Sequence, residues 1–83
     1  MTLNQHLEAL AKATGMRVGT TPDSIANVPE VGAFRAALRD DPELRDRART
    51  LIQSMDERVL MRDHISRWTK AAIEGAWPQG DPP

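Results

Sequence analysis

Between Pro42 and Gly75 the chain holds neither proline nor glycine, and its apolar residues recur every three or four positions. A half-buried strand would alternate every second residue, so this spacing predicts helix over about 42–76. Its start is marked as clearly. Asp41-Pro42-Glu43 supplies a capping carboxylate, a proline at the first helical position and an acid in the first turn. The longer phrase Asp40–Arg45 is common at bacterial helix starts and names no family.

The apolar stripe of this stretch does not keep one direction. Leu44, Ala48, Leu51, Ile52 and Met55 share one face, and Met61, Ile65, Trp68 and Ala72 share another. At about 100° per residue the two faces differ by roughly a third of a turn. The drift of an ideal helix, about 20° per heptad, covers less than half of that. Two arrangements satisfy the pattern: one long helix facing two neighbours, or two helices kinked near Asp56. Ser54-Met55-Asp56-Glu57 fits a capping box and favours the kink. Glu43 with Arg47, Asp41 with Arg45, and Asp63 with Arg67 stand four apart in the favourable order for ion pairs.

Upstream, Thr2-Leu3-Asn4-Gln5 reads as a capping box, with Leu3, Leu7, Leu10 and Ala11 on one helical face. Gly15 is placed to end that helix in the left-handed conformation, and Met16 to fold back on its last turn. Thr21-Pro22-Asp23 can cap a short turn ending near Ala26. Pro29 restarts the chain, and Val31, Phe34, Ala37 and Leu38 then form a stripe ending near Arg39, with Val28 or Asn27 as the cap.

One phenylalanine, two tryptophans and no tyrosine make a poor strand composition, so the expected fold is all-α: a small bundle of three to four helices. Residues 1–77 form the expected single helical domain and 78–83 a flexible tail. An 83-residue chain buries only about 60% of its unfolded surface, so its stability margin is narrow. With no cysteine, neither disulfides nor thiolate metal sites can widen it. Close helix packing or a second polypeptide must do so. Met1–Gln5 has no basic leader before an apolar run, and no stretch reaches the length of a membrane span. The expectation is a cytoplasmic chain without a membrane partner.

The formal net charge of −1 argues against a dedicated binder of nucleic acid or other polyanions. From Arg35 onward nine basic and nine acidic residues interleave, as on solvated helix faces, and every arginine from 39 to 67 has an acid within about a turn. Histidine offers the one general base with a suitable ordinary pKa. His6 and His64 lie far apart, and nothing local orients either, so no catalytic site, metal or cofactor is expected.

Leu7–Met16 resembles the first helix and turn of helix-turn-helix DNA-binding proteins, in which Leu-Ala-x-x-x-Gly is a familiar phrase. The resemblance covers about a tenth of the chain. It implies a small DNA-binding regulator with Pro22–Val28 as its recognition segment, and that segment contains no Arg or Lys. This is the alternative reading. The leading one is a non-enzymatic interaction module: an accessory subunit, adaptor or inhibitor that docks on a larger protein or on a second copy of itself. Met61, Ile65, Trp68, Ala72 and Trp77 are the candidate partner-binding residues, since methionine adapts to irregular surfaces and tryptophan is enriched in interface hot spots. Trp68 and Trp77 serve equally as core anchors, a choice that depends on how the helices assemble.

Overall fold

The computed structural model describes residues 1–79, which form six helices and no strand. In chain order these are α1 (Leu3–Thr14), α2 (Pro22–Ala26), α3 (Val31–Asp40), α4 (Pro42–Gln53), α5 (Glu57–Arg62) and α6 (His64–Ala76). The expected tail falls mainly on residues 80–83, outside the described residues.

Local chemistry sets most of the ends. Thr2 Oγ1 accepts from the Gln5 amide at 3.2 Å while Gln5 Oε1 accepts from the Thr2 amide at 2.8 Å, closing the capping box of α1. Gly15 ends α1 at φ +68, and Met16 follows at φ +50, a left-handed position rare for a side chain of its size. Thr21 and Ser24 cap α2 reciprocally. Asp41 Oδ1 accepts from the amides of Glu43 and Leu44 and opens α4. α3 begins later than the sequence suggests. Its cap is Glu30, which makes no side-chain cap, and Pro29 and Glu30 belong to the preceding turn.

The stretch after Pro42 divides twice, into three helices rather than one or two. The break near Asp56 is present, but Ser54 is not its cap. Ser54 closes α4, its hydroxyl donating to the Leu51 carbonyl at 2.7 Å, and Asp56 opens α5 by accepting from the Val59 amide at 3.0 Å. The second break, at Asp63, is one residue long. Asp63 adopts an extended backbone, donates its own amide to Val59 O, and accepts from Ile65 N and the Ser66 hydroxyl. A short carboxylate that bonds its own backbone neighbours competes with helix continuation, and here it wins without any glycine or proline. The two breaks explain why the apolar stripe changes direction.

The core draws on five of the helices. Leu10, Ile25, Val31, Phe34, Leu38, Leu44, Ala48, Trp68, Ala72, Ile73, Ala76 and Trp77 form one buried cluster, whereas α5 buries none of its residues. α6 is the central element: its second half, from Ala71 to Trp77, is buried at every position but Glu74. α2 lies against it at Gly75. A Cβ built there would stand 2.5 Å from the Pro22 carbonyl oxygen and 2.8 Å from Ile25 Cβ. The Gly75 carbonyl, near the end of α6 where no helical amide remains to bond it, accepts from Arg35 Nη2 at 3.0 Å. Arg49 of α4 stacks over the Trp77 ring at 5.5 Å.

Among the described residues His6 is the one buried polar or charged residue, 6% exposed and stacked on Phe34 with ring centroids 5.0 Å apart. Burial, reinforced by the amino-terminal ammonium, lowers its pKa below the ordinary value. Between the lowered and ordinary values the unfolded chain binds the extra proton and the native one does not. This group's contribution is therefore complete above about pH 6.5 and lost as the pH falls below it.

Two predictions follow from this packing. Gly75→Ala forces a carbon into backbone and should lower stability by about 1–3 kcal/mol despite the better helix propensity of alanine. Gly32→Ala, in α3 with nothing near its added carbon, should raise stability by about 0.5 kcal/mol. Urea unfolding of both variants tests the contrast in sign. In the same assay the wild type should weaken between about pH 7.5 and about pH 5.5 more than His6→Phe, which keeps the ring stack and removes the titrating group.

Candidate apolar groove between α1 and α6

The first turn of α6 and the last turns of α1 are joined through Thr14. Its hydroxyl donates to Leu10 O at 2.9 Å and accepts from the Met16 amide and from Trp68 Nε1, each at 3.2 Å. His64 Nε2 lies 2.6 Å from Met16 O. A carbonyl can only accept, so Nε2 carries the proton and the ring ties the start of α6 to the left-handed turn after α1. Trp68 is thereby held where α6 meets the end of α1, 3% exposed, with its indole N–H satisfied.

This seating leaves an open depression of about 220 Å³ between the two helices, lined by Asn4, Leu7, Glu8, Ala11, Met16, Ile65, Trp68 and Thr69. The depression is broad and open to solvent, a shallow apolar seat rather than an enclosed cavity. Ile65 forms part of its lining and is 61% exposed, a large aliphatic side chain left in water. A second, smaller depression of about 60 Å³ shares Trp68 and is lined otherwise by Arg17, Gly19, Thr20, His64 and Arg67.

The five candidate contact residues do not make one surface. Met61, on α5, is 80% exposed and Ile65 lines the groove. Trp68, Ala72 and Trp77 are in the core, because α6 runs through the middle of the molecule rather than along its edge. Sequence reasoning missed Leu7, Ala11 and Met16 as partners of Ile65. Their helical spacing is visible, but nothing in it says that α6 crosses there. The expected Asp63–Arg67 ion pair is absent too: Asp63 is occupied as the cap of α6, where the Ser66 hydroxyl holds its carboxyl below the usual carboxylate range. Arg39, Arg47 and Arg49 do pair locally, with Asp40, Glu43 and Asp46.

His6 is stacked on Phe34, and His64 is bonded to a backbone carbonyl. Among the described residues no three His, Cys, Asp or Glu side chains gather as metal ligands, and no helix is long and apolar enough to cross a membrane. The segment resembling a helix-turn-helix forms α1 and its turn. The helix after it, α2, spans five residues, carries no cation and buries Ile25 completely. The molecule is thus an all-helical bundle with an apolar surface groove. No protein-family model, curated protein or solved structure matches it.

Burial separates the candidates by experiment. Trp68→Ala should cost about 3–5 kcal/mol, since it opens a cavity and removes the indole N–H bond to Thr14. Ile65→Asp should leave stability within about 0.5 kcal/mol, because the site is exposed and an acid is favoured in the first turn of a helix. Thermal and urea unfolding distinguish the two.

Proposed function

We propose that the protein is a non-enzymatic interaction module that receives an amphipathic helix of another polypeptide in the α1–α6 groove. The observation that carries this reading is Ile65. A bulky aliphatic residue stands 61% exposed in a shallow depression that Leu7, Ala11 and Met16 also line. Helix-in-groove recognition uses such a strip, with apolar anchors spaced three or four apart on the incoming helix. Met61 extends the exposed apolar surface of the same part of the chain but lies outside the groove lining. The occupant can be a larger protein or the equivalent segment of a second copy.

DNA binding through Leu7–Met16 is the alternative proposal. It has the sequence phrase behind it and no cation on α2. Binding to duplex DNA that weakens steeply with salt would favour it over the groove reading.

The test is selection of displayed helical peptides against the full chain. Enriched peptides should shift the amide resonances of Leu7, Ala11, Met16, Ile65 and Thr69, and Ile65→Asp should weaken them at least about tenfold, equivalent to 1.4 kcal/mol. Failure to enrich any peptide, or resonance shifts confined to other surfaces, would overturn the reading.

A further inference from the structure

We infer that the protein exchanges α6 with a second copy of itself: α4, α5 and α6 join into one continuous helix, and its α6 end completes the core of the partner copy. The inference does not rest on the α1–α6 groove. It starts from the stretch between Pro42 and Gly75, which contains neither glycine nor proline and still divides twice. At each division an exposed aspartate caps the next helix. Asp56 accepts from Val59 N, and Asp63 from Ile65 N and the Ser66 hydroxyl. The residues between them, Glu57-Arg58-Val59-Leu60-Met61-Arg62, are mostly strong helix formers.

The second division already stands close to an unbroken helix. Asp63 N donates to Val59 O and Arg67 N to Asp63 O, each four residues back as in an α-helix. Asp63, at ψ 104, is the single non-helical residue between α5 and α6. Straightening it releases the carboxylate to Arg67, the i,i+4 pair that the sequence offers and the monomer forgoes. α5 itself holds nothing in the core: none of its six residues is buried, and Met61 is 80% exposed. It is a connector whose conformation can change without removing a core side chain.

α6, in contrast, is bound to every other part of the molecule. Gly75 meets Pro22 and Ile25, its carbonyl accepts from Arg35, Trp68 is bonded to Thr14, His64 to Met16, and Trp77 lies under Arg49. All of these partners lie outside residues 54–63, and a second copy presents the same ones. Each contact therefore forms equally well between copies, and the two forms differ in the connector and in the entropy of association. A continuous helix from Pro42 to Ala76 is about 52 Å long at 1.5 Å per residue. The longest dimension of the monomer is 33 Å. Once the helix is continuous α6 projects beyond its own core, and reciprocal exchange with a second copy buries its apolar face in a closed dimer.

The test is light scattering over a range of concentration, on the full chain refolded from urea. Asp56→Ala/Asp63→Ala removes both caps and supplies the best helix former, so its dimer dissociation constant should fall at least about tenfold below that of the wild type. Adding Glu57→Pro should return it to monomer. Glu57 is the first residue of α5 and follows Asp56 at φ −86 and ψ 173, a setting that suits proline, whereas proline inside a continuous helix is forbidden. Adding Ile65→Asp instead should leave the dimer intact, because the exchange does not use the open groove. Where the double variant fails to fold, the wild type and Glu57→Pro carry the test: refolding at high concentration should give dimer from the first and none from the second. Absence of dimer from both the wild type and the double variant overturns the exchange. So does a dimer that survives Glu57→Pro or is abolished by Ile65→Asp.

Discussion

The close approach of α2 to α6 at Gly75 is the constraint on which the rest of the assembly depends. With no side chain at that position, a backbone carbonyl and Ile25 come within a distance that no Cβ tolerates. Ile25 can then be buried completely by a helix of only five residues, too short to be stable alone. The same glycine's carbonyl takes the Arg35 guanidinium and so ties α3 to the end of α6. In a chain this small, with no disulfide available, such backbone-level packing replaces the area that a larger core would supply.

Once α6 is held centrally, the fate of its two halves differs. Its second half supplies the heart of the core, and Trp77 is enclosed there beneath Arg49. Its first two turns meet the end of α1, where His64 and Trp68 are bonded to Met16 and Thr14. Ile65, between those two tethers, is left outward. The groove is thus a consequence of where the tethers lie: they hold α6 close to α1 at its start without covering the aliphatic side chain between them.

Capping chemistry sets where the helices of the second half begin. Asp56 and Asp63 each stop a helical pattern that glycine and proline leave uninterrupted. Their carboxylates bond local amides, which restores at the new helix start what the break forfeits. At Asp63 this has an electrostatic effect as well, because the carboxylate engaged as a cap no longer pairs with Arg67. One local hydrogen-bonding choice therefore decides both where α6 starts and whether Arg67 has a local partner.

The sequence by itself determined what depends on residues a few positions apart. The all-helical class, the caps at Thr2, Thr21 and Asp41, the left-handed stop at Gly15 and a break near Asp56 are legible because each is a short-range hydrogen bond or a steric preference. The number of helices was less legible, since Asp63 serves equally as the partner of Arg67 and as a cap. Of the candidate site, Met61 and Ile65 were readable as apolar residues and both are exposed, but they stand on two different helices, while Trp68 and Ala72 of the same expected face are buried. What only the tertiary structure decided was which apolar faces meet. A hydrophobic stripe states that something must cover it, not what does. Ala72 and Trp77 went to the core with the half of α6 that packs around Gly75, and Trp68 with the half bonded to Thr14 of α1. Leu7, Ala11, Met16 and Ile65 came together across the groove because hydrogen bonds spanning some fifty residues, His64 to Met16 and Trp68 to Thr14, fixed where two helices cross.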